Sequence, residues 1–173
     1  MADSSTTLFQ VLRSILILPF NVLMTIPFLI FYFSDGEQSP LLISLSKWVI
    51  IPSSAIFLVT GLTLMYKSIS LFYKKGKGTL APWNPTQKLV VEGPYQYVRN
   101  PMISGVLCVL IAESLFLKSS YVFCWMLLFF VINYVYFITK EEPDLAKRFG
   151  ADYKNYMKNV PRWVPRIRPW IQN

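Results

Sequence analysis

Arg99 closes the run E-G-P-Y-Q-Y-V-R-N-P, from Glu92 to Pro101, and an apolar segment follows it without a spacer; Glu141 and Glu142 stand just after another apolar segment. These residue types suit one kind of ligand. A guanidinium grips a carboxylate as a planar fork, one glutamate can pair with an ammonium, and the second can accept from hydroxyls. Tyr95 and Tyr97 add ring faces that cover a heteroaromatic base or contact a cation. The chain has no histidine, which excludes a histidine general base and a histidine-rich metal site.

The elements that must position these groups are apolar helices. Of the 173 residues, 54% are hydrophobic and only 15% charged. The runs Ile15 to Phe33, Trp48 to Tyr66 and Tyr121 to Thr139 carry no charge, and each approaches the roughly 20 residues that cross a bilayer as helix. A shorter run, 102–117, contains Glu113 and is expected to cross as well, because Lys118-Ser119-Ser120 can then turn directly into the next segment. The expected fold is an all-α integral membrane protein of one domain, residues 1–173, with about four transmembrane helices near 12–33, 46–66, 102–117 and 121–140. The last two form a C-terminal helical hairpin. A loop, 67–101, and a tail, 141–173, hold the polar material. The residues Met1 to Gln10 carry no basic residue and no cleavage-type signal, so they read as a tail before a retained first span.

A formal net charge of +8 would suggest nucleic acid in a soluble protein, but here the loops sort it. All but Lys47 and Lys118 of the lysines and arginines fall on one side of a four-span arrangement. The positive-inside tendency then puts both termini and the middle loop in the cytoplasm, where basic residues attract anionic headgroups and no nucleic-acid partner is needed. Cys108 and Cys124 sit in apolar runs without metal-ligand spacing and are expected to be reduced and packed.

Within the loop, Gly76, Gly78, Pro82 and Pro85 forbid a continuous helix, and Lys88 to Val91 is expected to be briefly extended. In the tail, Pro143 suits the first turn of a new helix with Asp144 near its positive end, and Gly150 divides that helix. The closing V-P-R-W-V-P-R-I-R-P-W reads as an extended strip at the headgroup level, an anchor more than a site. Glu113 lies five residues before Lys118 and is expected to pair with it or reach the interface.

If the last two spans are antiparallel neighbours, Arg99 and the paired acids reach the same depth and form a cytoplasmic pocket with one cationic and one anionic wall. S-adenosylmethionine carries the carboxylate, ammonium, ribose and adenine that such a pocket would hold. The same charges also fit a purely topological role, with Arg99 as one more basic loop residue and the glutamates following a helix end. Against that, the helix dipole disfavours acids at a C-terminal end.

The blocks G-T-L-A-P-W-N-P, L-V-V-E-G-P-Y-Q-Y-V-R-N-P-M, E-E-P-D-L-A-K-R-F-G-A-D-Y-K-N-Y and V-P-R-W-V-P-R lie in that order between about Gly76 and Arg166. Together they resemble the isoprenylcysteine carboxyl methyltransferase and phospholipid methyltransferase superfamily. The resemblance implies an integral-membrane, S-adenosylmethionine-dependent methyltransferase of a bacterial inner membrane, whose lipophilic acceptor enters from the bilayer. It also implies that Gly93, Tyr95, Tyr97, Arg99, Asn100, Pro101, Glu141 and Glu142 line the cofactor site, with Arg99 and Glu142 closest to the chemistry. Prenylcysteine-methylating members commonly have histidine after the arginine, where this chain has Asn100, which cannot titrate. The acceptor therefore stays open among a lipidated carboxylate, a phosphatidylethanolamine amine and a small thiol. Outside this chemistry, a nicotinamide-dependent membrane reductase and a non-enzymatic membrane scaffold are the competing readings.

Overall fold

The computed structural model of the chain describes residues 13, 16–76 and 86–171. The expected N-terminal tail and the glycine- and proline-bearing positions Gly78, Pro82 and Pro85 lie outside the described residues. The rest is helix and irregular chain, with no strand among the described residues; the extended piece expected at Lys88 to Val91 is irregular coil.

A π-helical run, Leu16–Thr25, leads into α1 (Ile26–Phe33), and a single turn, α2 (Pro40–Ile43), precedes the long α3 (Lys47–Leu71). A wider π turn, Phe72–Gly76, ends α3, and a 3-10 turn, Gly93–Gln96, introduces α4 (Pro101–Phe116). α5 (Ser120–Tyr136) passes through a second π turn, Phe137–Glu141, into α6 (Glu142–Asn159). Local chemistry sets these ends. Ser46 accepts from Trp48 N at 3.3 Å to cap α3, and Ser119 accepts from Val122 N at 3.4 Å to cap α5. Pro101 opens α4 where its missing N–H costs nothing.

Two helical stretches among the described residues, Lys47–Gly76 and Ser120–Asn159, are long and apolar enough to cross a membrane. They are not core helices of a water-soluble globule, because only 22% and 17% of their most apolar windows is buried. α3 instead exposes Trp48, Ile56, Val59 and Tyr66, and α5 exposes Leu128, Val131 and Val135. Contiguous apolar surface on this scale suits lipid and not water. α3 outruns its expected end near residue 66 because no breaker occurs before Gly76.

Leu23, Met65, Val106, Val109, Leu110 and Met126 form the core between these helices. The tightest contact is the crossing of α3 on α4. A Cβ on Gly61 would lie 2.6 Å from the Gly105 carbonyl oxygen, and one on Gly105 would lie 2.8 Å from the Gly61 oxygen, so the two backbones touch directly. The first helical segment is tied to α5 by Trp125, whose indole N–H donates to the Val22 carbonyl at 3.2 Å. Pro27 lies five residues after Val22 and has no N–H to offer that carbonyl in the wide helical register.

Two expectations for the apolar segments change. Glu113 does not pair with Lys118, and its Oε2 is buried without a partner. Cys108 is half-buried and Cys124 exposed, both free, because α5 turns the latter outward.

A smaller core caps the bundle on the site side. Tyr153, Tyr156 and Val160 pack with Leu89, Val91, Leu145, Phe149 and Trp170, joining loop, α6 and tail. Gly150 adopts φ 56°, ψ −125° and breaks α6 as its position suggests; side chains rarely tolerate that conformation.

Candidate active site

Three stretches distant in sequence build the site. The 3-10 turn buries Tyr95, which stacks on Phe72 with ring centroids 5.3 Å apart and gives its carbonyl to the Tyr156 hydroxyl at 2.7 Å. The tail then returns along this segment. Arg99 N donates to the Pro161 carbonyl at 2.9 Å, Arg166 N to Tyr97 O at 2.9 Å, and Trp170 N to Gln96 O at 3.0 Å. Trp163 meanwhile packs edge-on to Phe130 and Phe137, at 5.1 and 5.6 Å. The backbone that carries Arg99 is therefore fixed from both sides before its side chain makes any contact.

The π turn at Phe137–Glu141 brings the acids to that arginine. Wider than an α turn, it changes the angular register at which Glu141 and Glu142 leave the helix, and such turns recur at functional sites. Glu142 Oε1 accepts from Arg99 Nη1 at 2.8 Å and from Arg162 Nε at 2.7 Å, while its Oε2 accepts from Arg162 Nη2 at 2.8 Å. The side chains of Arg99, Glu142 and Arg162 are only 11%, 13% and 22% exposed. Two cations on one carboxylate leave a net positive charge. Arg99 Nε and Asn100 Nδ2 are also buried without partners, and a buried donor left unpaired costs about 1–3 kcal/mol.

Beside this triad lies a cavity of about 580 Å³, within the usual range for small-molecule sites. Its polar wall includes Tyr95, Arg99, Asn100, Asn133, Glu141 and Tyr153, and its apolar wall includes Val22, Met102, Ile103, Val106 and Phe129. Along α4 the lining runs from Asn100 to Val106, roughly 9 Å at helical rise, from the capped side towards the bundle core. Burial, and after it the neighbouring Glu142, pushes the Glu141 carboxyl up from 4.5 to about 7. Burial likewise raises Tyr153 to about 12, with the nearby Arg99 acting in the opposite direction.

Of the residues expected at a cofactor site, Tyr95, Arg99, Asn100 and Glu141 line this cavity; Gly93, Tyr97, Pro101 and Glu142 do not. Gly93 takes a positive φ of 55° at the start of the 3-10 turn, Pro101 is buried at the first turn of α4, and Tyr97 offers its carbonyl to the tail. Glu142 faces the arginines and leaves the cavity wall to Glu141. Arg162, Tyr153 and Tyr156 were not anticipated. The tyrosines sit three residues apart on one face of the helix after Gly150, a detectable spacing; Arg162 lay in the strip read as an anchor, and nothing local marks its partner.

A sequence profile of phospholipid methyltransferases matches residues 48–152, which carry α3 through most of α6. A protein-S-isoprenylcysteine O-methyltransferase of Schizosaccharomyces pombe is 34% identical over 87 residues, 49% of this chain and 36% of the relative. This chain thus spans only about a third of that relative's length. An uncharacterized protein of Haemophilus influenzae is 30% identical over 63 residues, 36% of this chain and the whole of that protein.

Proposed function

The chain belongs to the phospholipid methyltransferase family, and we propose that it transfers a methyl group from S-adenosylmethionine to a lipophilic acceptor at a membrane. The observation that carries this reading is the convergence of Arg99, Asn100 and the carboxyl of Glu141 on one cavity whose wall continues as apolar side chains. Four spans, both termini cytoplasmic and the cavity at the cytoplasmic mouth complete the reading, in accord with the basic loops.

When bound, the donor would supply a methyl carbon activated by a sulfonium, with a neutral thioether as the leaving group. Arg99 and Asn100 would take its carboxylate, and Glu141 its ammonium. Phe129 and Val106 face the acceptor's lipid portion, and the surrounding bundle keeps water from the reacting atoms. Holding donor and acceptor in line is worth on the order of 7–11 kcal/mol in the best cases, so no covalent intermediate is needed. A carboxylate acceptor has no proton to lose. An amine or a thiol must give one up, and the cavity wall offers two carboxylates, Glu141 and Asp144, to receive it.

The test uses the full chain in lipid bilayers. S-adenosylhomocysteine should bind by calorimetry, and tritium from the labelled donor should enter a lipid fraction. Base-labile label marks a carboxyl ester, label in a headgroup an amine, and stable thioether label a thiol. Absence of both binding and transfer rejects the methyltransferase reading.

Glu141 adds a pH signature. Its raised pKa means that its neutral form stabilises the fold below about pH 4.5, and that this contribution is lost as pH rises through about 7. Ligand binding runs the other way, because an ammonium favours the ionised carboxylate. Below pH 7 the affinity for S-adenosylhomocysteine is expected to fall on the order of tenfold per pH unit, and Glu141→Gln should flatten that slope. A wild-type titration that is flat from pH 7 to 5 removes Glu141 from the ammonium.

A further inference from the structure

Glu142 is closed to the cavity. Both of its oxygens are occupied, Oε1 by two arginines and Oε2 by one, with all three bonds between 2.7 and 2.8 Å. The unequal sharing has consequences for Arg99. Arg162 takes the carboxylate as a fork and also lies over the Tyr134 ring at 5.5 Å, whereas Arg99 gives Glu142 a single N–H, on Oε1, and also bonds the Tyr153 hydroxyl. Its Nε stays unpartnered.

We propose that Arg162 is a positioning residue that occupies Glu142, so that Arg99, at the cavity wall, keeps an uncancelled positive charge for the carboxylate of the methyl donor. The proposal rests on the donor reading above. Without Arg162, Glu142 is free to take Arg99 as a fork, the geometry two such groups prefer. A second N–H of Arg99 would then be spent on Glu142, and the local charge would fall from one positive to zero. Arg162 itself touches no ligand. Its place in the tail matters too, because the neighbouring Pro161 carbonyl holds the Arg99 backbone at 2.9 Å.

Binding to the full chain in bilayers tests this with two ligands, S-adenosylhomocysteine and 5′-methylthioadenosine, which lacks the carboxylate. Arg162→Ala is expected to weaken S-adenosylhomocysteine on the order of tenfold to a hundredfold and 5′-methylthioadenosine by less than about threefold. Adding Glu142→Gln to Arg162→Ala should recover most of the loss, because a neutral amide neither sequesters Arg99 nor cancels its charge. Arg162→Lys, which keeps the charge without the fork, should fall between. Where Arg162→Ala yields no folded protein, Arg162→Gln, closer in length, takes its place. A scaffold role predicts the opposite pattern: equal losses for both ligands and a double variant worse than the single, and either result overturns the proposal. Wild-type protein that binds neither ligand overturns the donor reading and this proposal together, whereas wild-type binding with an unchanged Arg162 variant overturns this proposal alone.

Discussion

Arg99→Ala is expected to lower affinity for S-adenosylhomocysteine on the order of a hundredfold or more and to abolish measurable methyl transfer. The substitution acts twice. It deletes charge-assisted donors, each worth about 1.5–3 kcal/mol when buried, and it turns a triad with one surplus positive charge into a neutral Arg162–Glu142 pair. Truncating one member of a buried, hydrogen-bonded charge set costs about 2–5 kcal/mol, and every 1.4 kcal/mol is about tenfold in affinity. Arg99→Lys should recover only part of the loss. An ammonium restores the charge but has no rigid plane with which to serve Glu142 and a ligand carboxylate together. Calorimetry in bilayers measures the effect, with thermal unfolding to show that the fold survives. Binding within threefold of wild type would take the donor carboxylate away from Arg99.

The second large effect lies far from any charge. Gly61→Val is expected to destabilise the protein by about 3 kcal/mol or to prevent its folding, and Gly105→Val to behave similarly. A Cβ at Gly61 would meet the Gly105 oxygen at 2.6 Å, Val109 Cγ2 at 2.7 Å and Val109 N at 3.0 Å. Two of these atoms belong to backbone and cannot swing aside, so α3 and α4 must part. Overpacking of a close-packed contact costs about 1–3 kcal/mol and occasionally more, and here the site suffers too, because Val106 and Met102 on α4 line the cavity. Leu62→Ala provides the comparison. Leu62 neighbours Gly61 on the exposed surface of α3, and its change should stay within about 0.5 kcal/mol. Unfolding temperatures in matched lipid bilayers read both; a folded Gly61→Val protein with unchanged stability and binding would show that the helices slide past each other without cost.

The sequence discloses these features unevenly, for physical reasons. Charge-free apolar runs reveal long helices because an uninterrupted segment is a local property, and Pro143 and Gly150 mark breaks for the same reason. The meeting of Arg99 with an acid follows from two neighbouring helix ends, so it too was legible. Which acid meets it was not. The wide turn at Phe137–Glu141 resets the register, sending Glu142 to the arginines and Glu141 to the cavity, and no residue in F-I-T-K-E announces that turn. Gly61 and Gly105 are ordinary small residues in apolar helices until the two backbones are seen to touch. Arg162 looked like one more basic residue in a tail because its role depends on the chain folding back over residues 96–99.

That fold-back imposes an order on biosynthesis. Residues 161–170 hold the main chain at Gln96, Tyr97 and Arg99, so a ribosome that has released only α3, α4 and α5 has made helices whose Arg99 backbone is not yet held. We predict that a chain stopped after Asn159 inserts with its helices intact and binds no S-adenosylhomocysteine, whereas supplying the missing strip as a separate peptide restores some binding. Undiminished binding by the shortened chain would mean that maturation of the site is complete before its last segment emerges.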